Sequence, residues 1–241
     1  MSVTLAEARL CANHMLARLP DEHYAPLCAK LDRVETRLKQ VLHERNEPID
    51  HVYFPCSATV SNIVFFKDGS AVEVGTVGNE GFNAVALLAR ASTATETSVC
   101  QIAGHSLRMK RQDYLDAIDG NTPLRHVSEC YLQGYLSFVS QAAACNRKHP
   151  LEARFARWLL ATHDRVQGRE FLLTQEFLAD MLGVQRPSVS FAAAAFQKNG
   201  LIQYTRGHMK ILDRAGLEAV SCECYACVRD QFKRVLAVPY G

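Results

Sequence analysis

Apolar residues recur at helical spacing over residues 4–30, with Leu5, Leu10 and Leu16 on a first segment and a second segment entered through Pro20-Asp21. From about Val34 the period changes to that of strands. Runs at Val52-Tyr53-Phe54, Val60 to Phe66, Ala71 to Val77 and Thr97 to Ile102 are separated by Asn46-Glu47-Pro48, Lys67-Asp68-Gly69-Ser70 and Gly78-Asn79-Glu80-Gly81. Asp68-Gly69 between apolar runs predicts a hairpin. Many short strands at this spacing predict a small antiparallel barrel or sandwich rather than a parallel α/β sheet, and no phosphate-loop or dinucleotide glycine pattern interrupts them.

A long helix is predicted from Thr122-Pro123 to about Asn146, where Gly134 is the one breaker. It carries two apolar stripes: Leu124, Val127, Tyr131, Gly134, Phe138, Gln141 and Cys145 on one, and Leu132, Leu136, Val139 and Ala143 on the other. One stripe can cover the chain's own β-roll and the other a partner helix. The expected dimer interface is Val127, Tyr131 and Phe138, which would otherwise face water. His149-Pro150 breaks the helix. The expected layout is an N-terminal domain over 1–122, a long helix and hinge over 123–148, and a C-terminal domain over 149–241.

The stretch from Leu173 to Ser190 is the most specific in the chain. Thr174 can cap free amides at the start of a helix, with Glu176 favourable in its first turn. Leu178, Met181 and Leu182 face inward, and Gly183 permits a tight turn. A second helix restarts at Gln185-Arg186-Pro187, where proline costs nothing because first-turn amides have no intrahelical partner. Its inner stripe is Val189, Ala192, Ala193 and Phe196. This is a helix-turn-helix, whose second helix can enter a DNA major groove. After Asn199-Gly200, two strand-like runs around Gly207 read as a winged hairpin carrying Arg206, His208 and Lys210.

Charge supports this division. Residues 1–146 hold 13 Lys/Arg against 16 Asp/Glu, and residues 147–241 hold 14 against 9, so the second part alone is suited to a polyanion. No window approaches the roughly 20 apolar residues of a membrane helix, and a cytoplasmic protein is expected. Nine irregularly spaced cysteines do not form a secreted disulfide framework and read as reduced thiols. No nucleophile, acid and base are grouped as an enzyme would need.

On these residues the chain resembles the CRP/FNR family of bacterial transcription regulators, from about Leu16 through Leu212, most strongly at Leu173–Ser190 and at Arg154-Phe155-Ala156-Arg157-Trp158-Leu159-Leu160. The resemblance implies an α+β fold: an N-terminal antiparallel β-roll of cyclic-nucleotide-binding type, a long dimerisation helix and a C-terminal winged helix-turn-helix. It implies a homodimer on double-stranded DNA with RNA polymerase as a further partner. It also implies that Arg186 reads a guanine, whose O6 and N7 suit an Arg fork, and that Thr174 and Gln175 lie near the phosphate backbone.

The pattern is not followed throughout. Pro187 and Phe191 stand where relatives often carry an acidic and a basic residue. The outward surface of Pro187, Ser188, Ser190, Phe191 and Ala194 therefore suits thymine methyls better than bidentate readout, and Gln185 beside Arg186 is a further candidate DNA contact. In cyclic-AMP-binding relatives a Gly-Glu-Leu turn and an Arg-Ser pair hold the nucleotide. Here the candidate effector pocket is Gly78, Glu80, Gly81 and Phe82 with Thr95, joined by Ser140 of the long helix. Ala94 replaces the phosphate-binding arginine and Glu96 lies beside it, which disfavours cyclic AMP unless Arg90 substitutes. No cofactor is expected. Cys11 and Cys28 are too few for an iron-sulfur cluster, and His43, His51 and His105 read as ordinary surface or core histidines rather than haem ligands. If residues 214–236 form one helix, Cys224 and Cys227 share a face while Cys222 points away, and zinc would want a fourth ligand, so no metal is expected. The competing readings are a ligand-binding or protein-interaction module without sequence-specific DNA binding, and a redox- or metal-responsive regulator.

Overall fold

Two short helices lead into the first sheets. The first, α1 (Leu5–Leu10), opens with a capping box: the Glu7 amide donates to Thr4 Oγ1 while the Glu7 carboxylate accepts from the Thr4 amide. α2 (Asp21–Cys28) starts behind Pro20. The strands that follow are β1 (Leu31–Thr36), β2 (Val41–His43), β3 (His51–Pro55), β4 (Thr59–Phe65), β5 (Ala71–Val77), β6 (Thr97–Ile102) and β7 (Gly104–Lys110). They pair antiparallel in the orders β1-β7-β3 and β2-β6-β4-β5. The turn expected at Asp68-Gly69 joins β4 to β5, with Gly69 at φ +83° and the Asp68 carboxylate accepting from the Ser70 amide. The coordinates are a computed structural model that describes residues 3–237 apart from Gln167 and Arg169.

Past the roll, α3 (Arg111–Gly120) leads into α4 (Thr122–Lys148), whose cap Asn121 accepts from the Leu124 amide. After Pro150 come α5 (Leu151–Arg165), β8 (Glu170–Leu172), α6 (Gln175–Leu182), α7 (Arg186–Lys198), β9 (Ile202–Thr205), β10 (His208–Ile211), α8 (Arg214–Val220) and α9 (Cys224–Leu236). Strands β8, β10 and β9 form a third antiparallel sheet.

The long helix does not use its two stripes as the sequence reading assigns them. Val127, Tyr131 and Phe138 lie in the chain's own core, with Tyr131 fully buried. The Tyr131 ring meets Phe82 of the roll at 5.3 Å between centroids and Phe232 of α9 at 6.1 Å. A side chain at Gly134 would begin 3.0 Å from the Phe232 ring, so the glycine allows α9 to lie against α4. The roll and α9 therefore cover the stripe that the sequence reading assigns to a partner. The other face is the more open one: Leu136 is 56% exposed and Ala143 is exposed, while Leu132 and Val139 are half-buried, Val139 against the same core.

The second half of the chain is not insulated from the first. Its core of α5, α6, α7 and the third sheet takes in Ile63 and Ala71 from the roll. α5 adds polar contacts along one stripe: Trp158 Nε1 donates to Glu73 (2.9 Å), Thr162 Oγ1 accepts from Gln101 (3.3 Å), and Arg165 reaches Glu80. Desolvation raises the Glu73 carboxyl above the ordinary carboxylate range, against hydrogen bonds from Ser61 and Trp158 that lower it.

The thiols also depart from expectation. Cys11, just past α1, and Cys56, just past β3, form a disulfide with their Cα atoms 5.2 Å apart. At a sequence separation of 45, no local spacing reveals the pair.

Candidate nucleic-acid interface and effector turn

Thr174 caps α6 by accepting from the Phe177 amide, and Gly183 ends it at φ +62°. α7 then starts at Arg186, with Pro187 in its first turn. Leu178, Met181 and Leu182 on α6 and Val189, Ala192, Ala193 and Phe196 on α7 are buried against each other and against α5, where Phe155 stacks on Phe196 at 5.3 Å. The two helices are thus fixed by an apolar floor while their outward face stays open.

That face holds the residues expected of it. Gln185, Arg186, Pro187 and Ser188 are exposed, and Phe191 is 78% exposed, an unusual position for a large apolar ring. Gln175 ties the starts of the two helices together: its Oε1 accepts from Ser190 Oγ at 3.0 Å and from Arg186 Nε at 3.4 Å. The Arg186 side chain lines the mouth of a cleft shared with Thr174, Tyr204 and Arg206. Sequence reasoning missed Tyr204, whose hydroxyl donates to the Leu173 carbonyl at 2.7 Å and whose amide donates to Gln197. Those two bonds fix the wing against both helices.

The wing is a two-residue hairpin. Arg206 (φ +53°) and Gly207 (φ +84°) both occupy the left-handed region, as a turn twisted to match its strands requires. Asn or Gly would fill the first position at lower cost, so the arginine places a cation at the tip against local preference. Lys210 is exposed one pleat away, while His208 lies 3.2 Å from the Glu170 carboxylate on β8. Docking onto the roll leaves this surface free, because α6 and Gly183 face β5 near Val72 and the reading face of α7 does not.

The candidate effector residues are not gathered around a ligand-sized space. Glu80, at the turn after β5, is fully buried in a bidentate ion pair with Arg165, Nη2 to Oε1 at 2.8 Å and Nε to Oε2 at 3.2 Å. Phe82 sits in the aromatic core, and a side chain built on Gly81 would overlap the Tyr131 ring. Gly78 is pressed by the Arg165 stem. Thr95 is exposed and bonded to neighbouring Glu96, Ser140 lies exposed on α4, and Arg90 pairs with Asp119. His43 is buried with Nε2 2.8 Å from the His51 carbonyl, and desolvation lowers its pKa.

Residues 153–220 match the family model described as a Crp-like helix-turn-helix domain. Over most of the chain the fold is similar to that of FixK2 from Bradyrhizobium japonicum (14% identity, TM-score 0.66, 80% of this chain and 98% of that one). It is also similar to a CRP-family transcriptional regulator from Thermus thermophilus (19%, 0.61, 87% and 98%) and to the c-di-GMP-responsive global regulator CLP from Xanthomonas campestris (15%, 0.61, 85% and 99%). A stretch of 123 residues, 48% of this chain, is 25% identical to potassium channel GORK of Arabidopsis thaliana, of whose length it spans 13%. No helix among the described residues is long and apolar enough to cross a membrane.

Proposed function

We propose that this chain, a CRP/FNR-type protein by its Crp-like helix-turn-helix domain and its fold, is a cytoplasmic, sequence-specific DNA-binding transcription regulator that acts as a homodimer and hands its signal to RNA polymerase. The observation that carries this reading is the outward face of α7, with Arg186 at its start and Phe191 exposed, beside a wing tipped by Arg206. In a major groove Arg186 pairs with a guanine, Phe191 and Pro187 meet thymine methyls, and the cations of the wing meet phosphates. The free amides at the start of α6, next to Thr174, add a further phosphate contact. Selection of bound fragments from genomic DNA tests the reading. Enriched fragments should share a site with two half-sites about one helical turn apart; equal binding to all DNA, or none, would overturn it.

The partner-facing stripe of α4 is Leu132, Leu136, Val139 and Ala143, spaced at four and three residues as in a coiled-coil seam. Leu136→Glu should give a monomer in analytical ultracentrifugation, with operator binding largely lost. A Leu136→Glu protein that still sediments as a dimer rules out this seam.

The turn at Gly78–Phe82 is occupied by the chain's own Arg165 and Tyr131, and Ala94 supplies no cation for a phosphate. Cyclic AMP should therefore give no heat in calorimetry at micromolar concentration and should leave DNA affinity unchanged. Stoichiometric binding would show that the turn opens to nucleotide.

A further inference from the structure

We propose that Cys145, His149, Cys222 and Cys224 form a tetrahedral site for zinc, or for another thiolate-preferring divalent cation, at the joint between the long helix and the C-terminal helices. One donor atom from each of the four lies within 4.8 Å of every other. The positions of the four along the chain explain why the spacing of Cys222, Cys224 and Cys227 misled. The chain leaves α8 at Ser221 and starts α9 at Cys224, so Cys222 and Cys224 are not on one helix and both turn inward, whereas Cys227 is exposed and takes no part. The missing donors come from the far end of α4: Cys145 in its last turn and His149 at its C-cap.

Two of the donor separations match a tetrahedral metal centre. A tetrahedral ion with sulfur at about 2.3 Å and nitrogen at about 2.05 Å puts neighbouring sulfurs about 3.75 Å apart and sulfur and nitrogen about 3.55 Å apart. Cys145 Sγ and Cys222 Sγ are 3.5 Å apart, and Cys224 Sγ and His149 Nδ1 are 3.6 Å apart. The surroundings complete the case. His149 Nε2 lies 3.2 Å from the Glu223 carboxylate, which fixes that nitrogen as the protonated one and leaves Nδ1 as a lone-pair donor. Gln141 Nε2 donates to Cys224 Sγ at 3.0 Å, a bond that a thiolate accepts better than a thiol. Three thiolates around a dication leave one negative charge, and Arg154 and Arg157 lie on α5, the helix that follows His149. Cys145, Cys222 and Cys224 are all buried and form a small cluster of their own.

On binding, the three thiols release their protons to solvent and the ion joins α4, the α4–α5 hinge and the α8–α9 junction. The site thus clips the end of the long helix to the segment that follows the DNA-binding domain. It does not depend on the proposed DNA readout, because its test reads metal rather than DNA.

Full-length protein purified under reducing conditions without chelator should carry one zinc per chain by elemental analysis. Exchange for cobalt should produce thiolate-to-metal charge-transfer bands and the intense visible absorption of a tetrahedral centre. X-ray absorption on the wild-type protein should show three sulfurs and one nitrogen around the ion. Cys145→Ser and Cys222→Ser should each lose the metal, while Cys227→Ser keeps it. The proposal is overturned if the reduced wild-type protein takes up neither zinc nor cobalt, or if it is isolated with a Cys145–Cys222 disulfide and binds no metal once reduced. It is equally overturned if uptake persists in full in both serine variants. Should those variants fail to fold, the ligand count of the wild-type protein decides.

Discussion

Arg165→Ala costs the packed arrangement of this chain about 3–5 kcal/mol, because the Glu80 carboxylate it leaves behind is fully buried and has lost its countercharge. Glu80→Ala should cost a similar amount by stranding the guanidinium. The pair itself is worth much less than either loss suggests, since two charges taken out of water repay much of their attraction in desolvation. The double variant should therefore recover a large part of the stability lost by either single variant. Urea unfolding of the four proteins measures all of this. Amide exchange adds the location: the roll-facing side of α5 and the turn at Gly78–Phe82 should exchange faster in the single variants. If both single variants stay within about 0.5 kcal/mol of the parent, the level typical of an uninvolved surface position, the pair is not a buried one in solution.

Arg186→Ala should lower affinity for the cognate site by about 1–3 kcal/mol per half-site and change affinity for random DNA little, because base contacts specify while phosphate contacts position. Arg186 is exposed at the first turn of α7 and steadied by Gln175, so its loss removes a pre-aimed fork rather than a fold element. Lys210→Ala should act in the opposite way, weakening all sequences alike and reducing the slope of log affinity against log salt by roughly one. Both are read from one set of fluorescent probes at several salt concentrations. Equal loss on cognate and random DNA for Arg186→Ala would move specificity to DNA deformation or to the apolar surface around Phe191.

The helix-turn-helix was legible in the sequence because its determinants are local: a threonine cap, a left-handed glycine, a first-turn proline and two apolar stripes, all between Thr174 and Phe196. The hairpin at Asp68-Gly69 was legible for the same reason. Strands β1 and β7 were not, because in Leu31–Thr36 the apolar Leu31 and Val34 are three apart and fall on opposite faces, and in Gly104–Lys110 only Leu107 and Met109 are large and apolar. The stripe of Val127, Tyr131 and Phe138 was visible as a stripe, but periodicity states that a face is covered and not by what. Here the covers are Phe82 from the roll and Phe232 from the C-terminal helix. The Arg165–Glu80 pair spans 85 positions and the Cys145–Cys222 contact 77, separations at which only the fold brings residues together.

The stripe of Trp158, Thr162 and Arg165 has a mechanical consequence. α5 grips the sheet of the roll on one side through these residues, and on the other it is the floor on which α7 rests through Phe155 and Phe196. One helix thus contacts both halves directly. Driving a two-state population from one part in a hundred to ninety-nine takes about 5.5 kcal/mol. Breaking the Glu80–Arg165 pair, at about 3–5 kcal/mol, falls short of that, so a ligand would have to add differential binding of its own to shift α5.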